Sequence, residues 1–138
     1  MRTSERLREL TKGLSKASPA SDTAIEELST KLGYELPPEY VELMRLSNGG
    51  DGQVGEQSYL ALFPVDQIIP INEAAAVAEF APGFLIFGSN GMGVSYAFDT
   101  RNPSMPIVEC VDMDLSHTAA VCRGRNLLEF LEYLVKAG

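Results

Sequence analysis

A chain of 138 residues, 45% hydrophobic and 22% charged, has the size and composition of one folded domain. It can bury about two-thirds of its unfolded surface without a disulfide or a metal. The net charge of −8 is concentrated in residues 32–138, which hold five basic and fourteen acidic side chains, with no Lys or Arg between Arg45 and Arg101. Such a surface repels phosphate backbones and anionic headgroups, which excludes nucleic acid and membrane as expected partners and leaves a basic protein as the kind it attracts.

Residues 1–17 are amphipathic and charged, unlike the apolar run of a signal peptide. No stretch approaches the roughly 20 apolar residues that span a bilayer. A cytoplasmic location is therefore expected. Cys110 and Cys122 match no zinc spacing and read as reduced thiols, with a cross-strand pair left open.

Leu7, Leu10 and Leu14 recur at helical spacing over residues 3–16, followed by a linker of small residues through Ser21. Thr23 and Glu26 form a capping box for a second helix that carries Ile25, Leu28 and Leu32 on one face and stops at Gly33. A third helix opens on Leu36-Pro37-Pro38, buries Tyr40, Leu43 and Met44, and ends at Asn48-Gly49-Gly50, with Gly50-Asp51-Gly52 prolonging the turn.

From there the period shortens. Strands are expected over Ser58–Phe63, Phe84–Phe87, Val94–Phe98, Pro106–Val111 and Thr118–Cys122. Gly88–Gly93 is a hairpin turn whose glycines supply positive φ. An inserted helix lies within Ile71–Phe80 with Asn72 as cap, and a closing helix carries Leu127, Leu128, Leu131 and Leu134 after Asn126. This order predicts an α+β fold, a bent antiparallel sheet of four to five strands with N-terminal helices, one inserted helix and a C-terminal helix. Residues 1–21 are expected as an N-terminal helix and linker, and 22–138 as the domain proper.

Catalytic material is scarce. His117 is the only histidine and has no cysteine near it in sequence, so a Cys/His or Ser/His nucleophile system has almost no material. Asp112 and Asp114 offer oxygen ligands to a hard cation, but no glycine or distal Glu completes a calcium loop. The Gly88–Gly93 loop runs into a strand, whereas a phosphate cradle needs a helix after it. No cofactor and no metal are expected, and no enzyme.

One pattern stands out as a unit. The run Ile25-Glu-Glu-Leu28, Leu32-Gly33, Leu36-Pro37-Pro38-Glu39-Tyr40, Leu43 and Asn48-Gly49-Gly50 resembles the opening signature of the SUKH superfamily, the Smi–Knr-like domain. Leu62-Phe63-Pro64-Val65, Phe84 to Asn90, Gly93 to Asp99 and the closing Asn126 to Leu131 are similar to its later segments, so the resemblance spans about residues 23–135. The Ala-rich stretch Glu73–Glu79 departs from it. The resemblance implies a strongly bent antiparallel sheet, no catalytic residues, and, for bacterial members, an immunity protein that binds and neutralises a toxin, many of which are nucleases. Fungal members are regulators.

The expected contact surface for a basic toxin domain is Asp51, Glu56, Asp66, Asp99, Asp112 and Asp114, all in turns or at strand ends. Leu36, Pro37, Tyr40, Asn48, Gly49, Gly50, Gly88 and Gly93 are expected to be structural, with Tyr40 beneath the sheet and its hydroxyl reaching a partner. The alternative is a regulatory or scaffold domain that binds a cellular protein or a small ligand in a sheet cleft lined by Tyr59, Phe84 and Tyr96.

Overall fold

The computed structural model describes residues 2–137. It is an α+β fold in which six antiparallel strands form one sheet in sequential order: β1 (Gly50–Val54), β2 (Ser58–Leu62), β3 (Phe84–Ser89), β4 (Val94–Asp99), β5 (Ile107–Val111) and β6 (Val121–Gly124). The helices are α1 (Arg2–Leu10), α2 (Asp22–Leu32), α3 (Pro38–Leu46), α4 (Ile68–Ala74), α5 (Val77–Phe80) and α6 (Leu127–Ala137).

Successive residues of β3 show how the layers are arranged. Leu85 and Phe87 point into a large core shared with α1, α2, α3 and α6, while Phe84 and Ile86 point into a second, smaller core with Val77, Ala81, Val108 and Cys110. The alternation follows from the two-residue period of a strand, and it means that β3 is covered on both sides. The helices are therefore not confined to one face. The segment 68–81 and the loop after β5, through Leu115 and Ala120, close the second face.

Tyr40 lies at the centre of the large core, 1% exposed, edge-on to Phe87 and Phe98 at ring distances of 6.1 and 5.5 Å. Among the described residues its hydroxyl finds no hydrogen-bond partner, contrary to expectation. Pro38 opens α3 at a position where its missing N–H costs nothing. The Asn48 amide oxygen accepts from Val65 N at 2.9 Å, tying the end of α3 to the turn after β2. Gly49 has φ +87° and lies where a Cβ would stand 2.7 Å from the Leu62 carbonyl oxygen.

Several boundaries differ from expectation, each for a local reason. The strand count is six because Gly50-Asp51-Gly52, expected as turn, begins β1. Its glycines admit the chain before α2, which bridges to the strand at Leu14↔Gly52 and donates Ser15 N to the Asp51 carbonyl at 2.8 Å. Gly88 belongs to β3 rather than to the hairpin turn. It sits at a bulge, close to the Ala61 carbonyl, so its small size serves close approach and not positive φ. Gly91 and Gly93 do carry the positive φ of the turn. The first turn of α2 is capped by Ser21, which accepts from Ala24 N, two residues earlier than Thr23.

The single inserted helix is two short ones, broken at Ala76 with φ 55°. Asn72 lies inside α4 and caps nothing. Its side chain instead clasps the backbone of Ile86, donating to O at 2.9 Å and accepting from N at 2.8 Å. β2 and β3 pair over only two residues, so this amide takes the place of a neighbouring strand beside Ile86. The last strand begins at Val121, three residues later than expected. Leu7, Leu10 and Leu14 are buried in the same core as α3 and α6, which fastens α1 to the sheet layer.

Candidate protein-docking surface

The six predicted contact acids are spread over the sheet rather than gathered. Asp51 lies on the edge strand β1, where its carboxylate accepts from the Ser15 hydroxyl at 3.3 Å and from the Tyr59 hydroxyl. Glu56 is exposed in the β1–β2 turn, and Asp66 is exposed beside Glu27 and Lys31. Asp99 closes β4 at the opposite end from Asp112. Arg101 grips it with Nε and NH2 at 2.9 and 3.0 Å, and these hydrogen bonds hold its carboxyl below the usual carboxylate range. That charge is largely neutralised locally.

Asp112 and Asp114 are the pair that the fold does bring together. They occupy a single 3-10 turn after β5. Asp112 accepts from Ser95 Oγ at 2.5 Å, and its N–H donates to the Gly93 carbonyl at 2.9 Å. Asp51, Ala61, Ser89 and Ser95 form one row across four strands, so Asp51 stands three strand spacings, about 14 Å, from Ser95, with Asp112 beyond it at the end of β5. A partner touching both ends of this row must cover most of the sheet's width.

Sequence reasoning missed the apolar side chains around Asp112. Met113 is 97% exposed and Met92, in the β3–β4 turn, is 85% exposed. Val111 and Val121 are each a little under half exposed. The available signal was a methionine in each of two short loops in a region devoid of cations: there is no Lys or Arg in residues 46–100 or 102–122.

A separate, concave feature is a groove of about 610 Å³ between the end of α2, the α4–α5 pair and the start of β3, lined chiefly by Leu32, Tyr34, Ile69, Val77 and Phe84, with Glu73 and Thr100 as polar members. Burial raises the Tyr34 hydroxyl above its ordinary pKa, with a Thr100 hydrogen bond opposing the shift. The expected cleft of Tyr59, Phe84 and Tyr96 does not form. Phe84 and Tyr96 belong to the cores on opposite faces, and Tyr59 is on the exposed part of β2.

Ser95 donates to Asp112 with no imidazole between them, while His117 is engaged elsewhere, with Nε2 2.8 Å from the Pro82 carbonyl oxygen and its ring against Phe84. His117 thus pins the 112–120 loop onto the second face. Cys110 is buried, its thiol pushed up to about 11 by desolvation and then by Asp112 and Glu109, and Cys122 is exposed; both are free, so they form no cross-strand disulfide. Among the described residues no three His, Cys, Asp or Glu side chains converge on a metal-sized site, and no helix is long and apolar enough to cross a membrane.

Residues 19–132 match the SMI1 / KNR4 family (SUKH-1). The match spans the sheet, α2 to α5 and the first half of α6, and leaves out α1. A comparison with curated proteins yields no match.

Proposed function

Because the chain belongs to the SMI1 / KNR4 family (SUKH-1), we propose that it is a non-catalytic protein-binding domain of the immunity type, acting in the cytoplasm to occupy and neutralise a bacterial toxin. The observation that carries the reading is the scarcity of cations in the sheet region: from residue 46 to residue 122 Arg101 is the one Lys or Arg, and it is paired with Asp99. A toxin with a basic substrate groove, such as a nuclease, is attracted to that surface and associates faster than an uncharged partner, by steering that salt suppresses. Catalysis is not part of this reading, since His117 and the two cysteines are held apart in structural or unrelated surroundings. In this reading residues 1–21 are an N-terminal helix and linker, and the family domain runs from residue 22 onward.

The groove beside Tyr34 and Phe84 favours a second reading, a regulatory domain that takes a cellular ligand there. Affinity capture with the full chain as bait, eluted across a salt gradient and followed by mass spectrometry, separates the two. Release of a basic toxin domain only at high salt supports the immunity reading. Capture of a housekeeping protein, or co-purification of a metabolite without a protein, supports the regulatory one. For a captured toxin, Asp112→Lys/Asp114→Lys is expected to slow association about ten-fold or more at low salt.

A further inference from the structure

Large exposed apolar side chains on a monomer's surface are informative when they are contiguous. Met92 and Met113 each lie one residue away from a hydrogen bond between loops, Asp112 N to Gly93 O at 2.9 Å. That bond places the β3–β4 turn against the 3-10 turn after β5. Val94 and Val111 pair directly beneath it, so Met92, Val111 and Met113 form one apolar tip at this end of the sheet. Asp112 and Asp114 flank Met113 in sequence, and neither carboxylate has a salt bridge among the described residues.

We propose that this tip is the anchor of the docking surface, the two methionines entering an apolar recess on the partner while Asp112 and Asp114 meet basic side chains around that recess. The proposal rests on the protein-binding reading above and specifies where it acts. Charge complementarity identifies the occupant: both loops carry acids or no charge and no Lys or Arg, so an acidic partner or a second copy of this acidic chain meets repulsion at the rim. Methionine suits the role because its unbranched, polarizable side chain adapts to an irregular recess. Both methionines are more than four-fifths exposed, so the fold gains little from them.

The test works without the partner in hand. A random peptide display library is panned on the full chain and counter-selected with Met92→Ser/Met113→Ser, whose unchanged melting temperature serves as the folding control. The expected binders combine Lys or Arg with aromatic or large aliphatic residues. They should bind the double variant at least about ten-fold more weakly and lose affinity for Asp112→Asn/Asp114→Asn at low salt. With the chain labelled at its methionine methyl groups, such a peptide should shift the Met92 and Met113 signals and leave that of the buried Met44 unmoved.

Failure to enrich any peptide over the double variant overturns the proposal, as does enrichment of acidic or uncharged sequences. A concentration-dependent dimer that Met92→Ser/Met113→Ser dissociates also overturns it, by giving the tip to a second copy. A basic toxin captured with equal affinity by wild type and double variant would remove the tip and leave the immunity reading standing. Basic apolar peptides that engage the tip, in a protein that captures no toxin, would do the reverse.

Discussion

Tyr40 is a residue whose position and chemistry pull in opposite directions. The ring fills the centre of the large core against Phe87 and Phe98, yet its hydroxyl is buried with no hydrogen-bond partner among the described residues. Burial also raises its pKa well above the ordinary value, which keeps it neutral at any physiological pH. An unsatisfied buried hydroxyl costs roughly 1–3 kcal/mol. Tyr40→Phe keeps the ring and removes the cost, so denaturant titration is expected to show stability raised by about 1 kcal/mol. A loss of similar size would mean that the hydroxyl is satisfied by a bound water. The position of Tyr40 was legible from its helical spacing with Leu43 and Met44. The fate of its hydroxyl was not, because that depends on side chains from β3 and β4 that are distant in sequence.

At the scale of elements, the segment between α1 and α2 and the strand β1 form one device. β1 is an edge strand, and edges invite unwanted pairing unless they are covered. Here the chain at residues 13–15 lies along it, and a Cβ on Gly50 or Gly52 would collide with the carbonyls of Ser15 and Gly13 respectively. Both glycines also have positive φ, at 133° and 156°. Gly52→Ala is therefore expected to displace the covering segment and destabilise the protein by about 1–3 kcal/mol. Limited proteolysis should then cut within residues 13–20 at a protease concentration that spares the wild type. Wild-type resistance in the variant would show that the segment gives no protection to the edge. Taken alone, Gly50-Asp51-Gly52 has the composition of a turn. It becomes a strand only because Leu14 and Leu62 are brought to either side of it.

For the whole molecule, charge sets the response to pH. Arg101 holds Asp99 below its unfolded pKa, the hydrogen bonds being the main cause. A depressed carboxyl contributes stability that is fully present above the unfolded value of about 3.9 and is lost as pH falls through the lower folded value. Arg125 lowers Glu129 in the same direction. Asp99→Asn should therefore leave stability less dependent on pH below about 4 than it is in the wild type. Urea midpoints measured from about pH 2.5 to 6 check this. Parallel curves for the two proteins would show that the Asp99–Arg101 pair contributes nothing to acid sensitivity. The remaining acids repel one another at neutral pH, a cost to the compact state.

By itself the sequence determined many of the local elements and several of their ends: the prolines that open α3, Gly33 in the left-handed conformation at the end of α2, Asn126 accepting from Glu129 N at the start of α6, and the turn glycines of the β3–β4 hairpin. It also carried the family signature and the one-sided charge. These rest on neighbours within a few residues or on sums over the chain, both of which a sequence displays directly. Tertiary structure decided what depends on distant partners. It made β1 a strand, put Asn72 against Ile86 in place of a paired strand, and buried α1 in the shared core. It neutralised Asp99 while leaving Asp112 and Asp114 without ion pairs among the described residues, and it tied together, through Asp112 N and the Gly93 carbonyl, the two loops that carry the exposed Met92 and Met113. Burial, pairing and exposure are properties of the packed whole, and only the packing of sheet against helices assigns them.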